Sequence, residues 1–131
     1  MAKTITFVTN QYSCDRLICA ARKIADDTQT ELIVVGILDS EYALDPQVID
    51  YLFVLSKQNK ATMRLLFSED KQGVMVEAIA QHECQHIVTG MPASSDSVLY
   101  HIWKMFPRKK FHTVDVSGEI IEVASSQFCP A

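Results

Sequence analysis

Residues 32–38 constrain the fold of this chain most strongly, because Leu-Ile-Val-Val-Gly-Ile-Leu contains seven consecutive residues without a charge. A strand with one face in water alternates apolar and polar residues, and this run does not alternate. Continuous apolarity is typical of a strand covered on both faces in a parallel sheet. The run therefore predicts a central strand with helices on both sides of the sheet.

The rest of the chain alternates between β-rich runs and apolar residues at helical spacing. Further strands are predicted at residues 5–8, 61–67, 87–89 and 111–116, and a sixth at 119–124 after the hairpin pair Ser117 and Gly118. Helices are predicted to begin after Ser13, after Asp45, after the polar turn 68–73, and at Val98 after a cap at Asp96 or Ser97. Strands that alternate with helices predict an α/β fold with a doubly wound sheet.

Right-handed crossovers between parallel strands leave few possible topologies. We predict five parallel strands in the order 3-2-1-4-5, with the sixth strand antiparallel at the edge. The chain length favours a single domain over residues 1–124, with residues 125–131 as a flexible tail. The strand order reverses between the first and fourth strands, and ligands bind at such switch points in open α/β sheets.

The charge balance argues against nucleic acid and membrane surfaces as partners. The chain has 12 Lys and Arg against 16 Asp and Glu, a net charge of −4, which does not favour polyanions. We see no signal-peptide pattern and no apolar run of the roughly 18 residues that a membrane span needs. We therefore expect a cytoplasmic protein. Its cysteines are expected to be free thiols because no Cys-x-x-Cys pair occurs.

Two polar loops are expected to meet at the switch point and to form a ligand crevice. The predicted ligand-binding residues are Asn10, Gln11, Ser13, Gly90, Ser94, Ser95 and Ser97. Hydroxyl and amide groups beside a helix N-terminus can hold an anion or a nucleotide, and glycine permits close backbone approach. The same residue types are also ordinary caps and turn formers.

Two further groups of residues could carry chemistry. His82, Cys84 and His86 could ligate zinc or copper, but they span a helix end and a strand start without an evident fourth ligand, so no metal site is expected. Cys14 near a helix N-terminus could be redox-active, although a packing role is favoured. Because no nucleophile can be paired with a base, we expect no enzymatic activity.

The helix segment 13–26, Ser-Cys-Asp-Arg-Leu-Ile-Cys-Ala-Ala-Arg-Lys-Ile-Ala-Asp, and the loop 90–94, Gly-Met-Pro-Ala-Ser, resemble the universal stress protein superfamily. The resemblance is greatest to the universal-stress-like domain of bacterial potassium-sensor histidine kinases and its free-standing relatives. It covers about residues 4–116. It implies a Rossmann-like, adenine nucleotide α-hydrolase-like fold. It also implies a nucleotide ligand such as ATP, AMP or cyclic di-AMP, a signalling-protein partner, and a homodimer formed through the fifth strand unless the sixth covers that edge.

The sequence departs from the nucleotide motifs of that family. Many members bind ATP through Gly-x-x-Gly, nine residues, then Gly-Ser/Thr; here Gly90 is followed by Ala93 and, at the distal positions, by Trp103 and Lys104. Of the cyclic di-AMP motif only Ser13 is retained. We therefore expect a non-catalytic stress or signalling module that binds a protein partner or a nucleotide-like anion other than ATP. A nucleotide-hydrolysing enzyme and a ligand-free scaffold are the alternatives.

Overall fold

A computed structural model describes residues 2–81 and 83–124. Within these ranges the strands are β1 (Lys3–Val8), β2 (Glu31–Leu38), β3 (Thr62–Phe67), β4 (Cys84–Gly90), β5 (Lys110–Val114) and β6 (Ile120–Glu122). The α-helices are α1 (Asp15–Thr28), α2 (Pro46–Gln58), α3 (Lys71–Gln81) and α4 (Val98–Met105). The tail predicted at residues 125–131 lies outside the described residues.

The strands form one sheet in the order β3-β2-β1-β4-β5-β6. All neighbouring pairs are parallel except β5 and β6, which are antiparallel. The predicted α/β fold class and strand order are confirmed, including the antiparallel sixth strand. The switch point therefore lies between β1 and β4, where the carboxyl ends of both strands meet the loops that follow them.

The sheet is covered on both faces, and β2 shows why. Every residue of β2 after Glu31 is buried. Ile33, Val35 and Ile37 pack with side chains of α3 and α4 in one core, while Leu32 and Val34 pack with α1 and α2 in a second core. Because successive side chains point to opposite faces, an uncharged strand is needed where both faces are buried.

The connection between β5 and β6 differs from the predicted two-residue hairpin. β5 ends at Val114 rather than at residue 116, and β6 is shorter than predicted. The Asp115 carboxylate accepts hydrogen bonds from the Ser117 and Glu119 backbone N–H groups, both at 2.9 Å, and Gly118 takes a φ of 91°. The Ser117 hydroxyl and the Glu119 N–H hold the pKa of Asp115 below its usual value. This carboxylate thus turns the chain before β6 begins.

Two of the predicted helix caps are confirmed and one is wrong. The Asp45 carboxylate accepts from the Gln47 N–H at 3.0 Å, and the Ser97 hydroxyl accepts from the Leu99 N–H at 3.3 Å. The sequence predicts Ser13 as the cap of α1, but Ser13 lies inside a 3-10 turn, Tyr12–Cys14, and its side chain makes no capping bond. The extra turn delays the start of α1 to Asp15.

A bulge in the pairing of β1 with β4 separates two residues of the predicted metal cluster. Lys3 pairs with Cys84 but Thr4 pairs with His86, so the register slips by one residue. Cys84 consequently packs in the core beneath α3 and α4. His86 shares the opposite face with Val88, which packs beneath α1. Cys84 and His86 therefore do not converge.

No helix in the described part of the chain is both long and apolar enough to cross a membrane.

Candidate functional site

A crevice of about 260 Å³ opens at the carboxyl ends of β1 and β4, at the switch point. Its apolar wall consists of Phe7, Val8, Cys14, Leu17, Ile37, Met75, Met91, Ala93, Val98 and Leu99. Its polar wall consists of Thr9, Gln11, Arg16, Lys71, Thr89, Gly90 and Ser97. An apolar cavity with a few polar groups at one rim is the usual form of a small-molecule site.

Arg16 is the most constrained charged group of the crevice. Its Nε donates to the Asp115 carbonyl at 2.9 Å, and its Nη1 donates to the Ser13 carbonyl at 2.6 Å. These two bonds fix the guanidinium of the half-buried Arg16 in the lining of the crevice. Nη2 makes no hydrogen bond within the described residues, so its N–H groups remain available to a ligand anion.

The crevice carries positive charge in an acidic chain. Lys71 begins α3 and joins Arg16 in the lining. In residues 2–81 and 83–124 neither of these cations forms an ion pair. Among the described residues no Asp, Glu or His lines the crevice. The local field therefore favours a negatively charged ligand.

Gly90 ends β4 beside the Arg16 guanidinium. A Cβ at Gly90 would lie 3.5 Å from Nη2 of Arg16, which is ordinary contact distance. A larger side chain here would therefore extend into the space beside the guanidinium. The glycine therefore keeps this part of the crevice open.

The structure brings only part of the predicted site together. Gln11, Gly90 and Ser97 line the crevice, whereas Asn10, Ser13, Ser94 and Ser95 are absent from its lining. The Asn10 side chain instead ties the loop after β2 to β1: it donates to the Ala43 carbonyl and accepts from the Asp45 N–H. The Ser94 hydroxyl donates to the Asp96 carboxylate.

Two residues that line the crevice, Arg16 and Lys71, were missed from the sequence. Arg16 follows the 3-10 turn by two residues, and that turn sets the direction of its side chain. Lys71 lies in a polar turn whose residue types are typical of a helix cap. No local pattern distinguishes either residue from a solvated surface cation. A search for cations just after strand ends would have found both as candidates.

Cys14 has the packing role that the sequence favours. It is buried in the core beneath α1, and its Sγ accepts a hydrogen bond from the Thr9 N–H at 3.4 Å. This bond joins the end of β1 to the turn before α1. Cys14 therefore helps to shape the crevice wall.

The predicted metal cluster is only partly described, because His82 lies outside the described residues. Burial raises the pKa of Cys84 to about 12, so this thiol stays protonated at neutral pH, whereas metals bind the thiolate. No group of three or more His, Cys, Asp or Glu side chains in the described ranges could hold a metal ion.

Trp103 occupies the position at which the family's ATP motif has its distal glycine. It lies inside α4 and is 3% exposed, packed against Tyr100 and Phe111. Ala93, at the position of the second glycine, lines the crevice. The loop between β4 and α4 therefore has the location of a nucleotide loop but lacks both of its later glycines.

Comparisons with known proteins identify the fold. No protein-family model and no curated protein matches this chain. A solved structure does match: a protein of the universal stress protein family from Burkholderia pseudomallei, with a TM-score of 0.57 and 17% sequence identity. The match covers 83% of this chain and 92% of that chain. The predicted resemblance is thus confirmed at the level of the structure: this chain has the fold of the universal stress proteins.

Proposed function

We propose that this chain is a non-catalytic stress or signalling module of the cytoplasm that binds an anionic, nucleotide-like ligand in the crevice. One observation carries the proposal. Within the described residues, Arg16 and Lys71 line the crevice without a carboxylate partner, although the chain as a whole has a net charge of −4. Unpaired cations beside an apolar cavity suit a ligand with an anionic group and an apolar body.

The shape of the crevice favours a small nucleotide. Its volume of about 260 Å³ lies just below the range of roughly 300–1,000 Å³ that is usual for ligand pockets. The methyl group of Ala93 occupies a place where the ATP-binding motif of the family has a glycine. A mononucleotide such as AMP therefore fits better than ATP or cyclic di-AMP, with its phosphate on the Arg16 guanidinium.

The lining also supports binding without turnover. Hydrolysis of a phosphate ester needs a group that orients or deprotonates water, most often His, Asp or Glu. Such a group is missing from the crevice within the described residues. The hydroxyls of Thr9 and Thr89 are weak bases, and the latter donates to the Gly90 carbonyl at 2.9 Å.

A thermal-shift screen with AMP, ATP and cyclic di-AMP tests this function. A ligand that binds only the folded chain raises the melting temperature. We expect AMP to raise it for the wild type and for the surface control Met105→Trp, and not for Gly90→Trp, whose indole fills the crevice. If no nucleotide raises the melting temperature, the alternative of a ligand-free scaffold is correct. ATP turnover that Gly90→Trp abolishes would establish the enzyme alternative.

We further propose that the chain forms a homodimer through β3. The edge of β5 is occupied by β6, so the fifth strand is closed to a second copy. β3 is the other edge of the sheet, and its Leu66 and Phe67 are 38% and 42% exposed. A second copy related by a two-fold axis could pair with this edge antiparallel and cover both side chains.

The mass in solution tests the dimer. Size-exclusion chromatography with light scattering is expected to give the wild type twice the chain mass of 14.7 kDa. Leu66→Lys should give a monomer, because the substitution places a positive charge on both of the paired edges. The matched control is Val116→Lys, at a residue 94% exposed in the loop after β5, and it should remain dimeric. A monomeric wild type would refute the dimer.

A further inference from the structure

Two histidines meet on the sheet outside the crevice. His86 of β4 and His112 of β5 place Nδ1 and Nε2 at 3.1 Å from one another. Their rings are stacked, with centroids 5.3 Å apart and an interplanar angle of 29°. Both side chains are partly buried and thus retain access to solvent.

The backbone holds this pair in place. His112 is in register with Val88, so His86, two residues earlier on the same strand, faces the same side of the sheet. The rings are therefore diagonal neighbours across a parallel pair of strands. Strand positions at the centre of a sheet are rigid, which limits how far the two nitrogen atoms can separate.

The distance between the two nitrogen atoms matches the bite of a chelating pair. Nitrogen ligands at about 2.0–2.1 Å from one metal ion are about 2.9 Å apart at a right angle and about 3.3 Å apart at a tetrahedral angle. The observed 3.1 Å lies between these values. For chelation each ring has to turn so that both lone pairs point at a common ion rather than at each other.

The charges around the pair are balanced. Glu122 of β6 lies opposite His112 in the antiparallel register, and Lys110 forms an ion pair with Glu122 at 3.5 Å. Lys110 opposes the binding of a cation, whereas Glu122 favours it. The Lys110 side chain is 63% exposed, so water screens its charge.

We propose that His86 and His112 form a two-histidine chelating site for a late first-row divalent cation such as Zn²⁺, with Glu122 as the compensating charge. The protein supplies Nδ1 of His86 and Nε2 of His112, and water completes the coordination. The proton shared between these atoms moves to the other nitrogen of the donor ring. Both rings are then neutral ligands, as imidazole must be to bind a metal.

The electrostatics of the pair agree with this role. Burial lowers the pKa of both imidazoles and Lys110 lowers the pKa of His86 further, whereas Glu122 raises the pKa of both rings. A lowered pKa favours the neutral imidazole, in which one ring nitrogen keeps a lone pair. A simple hydrogen bond between two neutral imidazoles is the competing explanation for the short distance.

Zinc titration distinguishes the two explanations. By isothermal calorimetry in a non-chelating buffer, we expect the wild type to bind one Zn²⁺ per chain. His86→Gln and His112→Gln are each expected to weaken binding by about tenfold or more, while His101→Gln, at an exposed position on α4, leaves it unchanged. Zinc that binds all four proteins equally would overturn the site.

A second measurement does not depend on the variants folding. In NMR spectra of the wild type, a severalfold excess of Zn²⁺ is expected to shift the ring signals of His86 and His112 and to leave those of His101 in place. EDTA should reverse the shift. If the two signals do not respond, the pair is a hydrogen bond alone and the proposed site does not exist.

Discussion

Replacing Trp103 with alanine is expected to lower the free energy of unfolding by about 3–5 kcal/mol. The indole is 3% exposed. It makes an edge contact with Tyr100 at 5.1 Å between ring centroids and a tilted contact with Phe111 at 6.5 Å. Its removal leaves a cavity between α4 and the sheet that these rigid neighbours cannot close. The loss should be among the largest of any single substitution in this chain.

Urea denaturation followed by circular dichroism measures this effect. The matched control is Met105→Ala on the same helix, at a residue 53% exposed, for which a change within about 0.5 kcal/mol is expected. If Trp103→Ala lowers the free energy of unfolding no more than the control does, the core position of Trp103 is contradicted. That result would reopen the possibility that this residue belongs to a ligand loop, as the family's motif spacing suggests.

Replacing Arg16 with methionine is expected to weaken ligand binding by roughly 10- to 100-fold. This estimate follows from the loss of charge-assisted hydrogen bonds, which contribute about 1.5–3 kcal/mol. Methionine preserves the aliphatic stem that packs along the crevice but cannot donate to an anion. The prediction rests on the proposed function and is measured with AMP, as the dissociation constant from calorimetry.

The control for Arg16→Met is Lys23→Met, which removes one positive charge from the exposed face of the same helix. It should bind AMP as the wild type does, because a solvated charge at that distance is screened. Arg16→Met also loses its bonds to the Asp115 and Ser13 carbonyls, so its stability is compared by urea denaturation. If both variants bind equally, the anion lies elsewhere in the crevice.

The two proposed sites occupy different parts of the sheet and can be tested independently. The crevice lies where β1 and β4 end, whereas His86 stands near the start of β4, four residues before Gly90. Neither histidine lines the crevice. A failure to bind zinc would therefore leave the proposed nucleotide site unaffected, and a failure to bind a nucleotide would leave the proposed zinc site unaffected.

Hydrophobic patterning predicted the architecture, because a strand that is buried on both faces is apolar along its whole length. The uncharged run in β2 required a covered parallel sheet, and the right-handed crossovers then restricted the order of its neighbours. The helix caps at Asp45 and Ser97 were predictable for a similar reason. Their side chains bond to N–H groups two residues away, so the signal is local.

The composition of the site was less predictable, because its residues come together through contacts distant in sequence. Arg16 bonds to the carbonyl of Asp115, 99 residues away, and no local pattern encodes that contact. The sequence predicts Asn10 and Ser94 as ligand-binding residues from their polarity alone, but the structure shows Asn10 bonded to the loop after β2 and Ser94 bonded to Asp96 in its own loop. Polar residues at a strand end can bind a ligand or close a turn, and sequence does not separate these roles.

The sequence by itself determined the α/β class, the strand order, the place of the crevice and the absence of the full ATP motif, since these follow from periodicity and residue counts. The tertiary structure alone decided that Arg16 and Lys71 supply the charge of the crevice. It also decided that a bulge separates Cys84 from His86, and that His86 instead meets His112. Register and side-chain direction set these contacts, and a one-residue slip in a strand reverses the face on which a side chain lies.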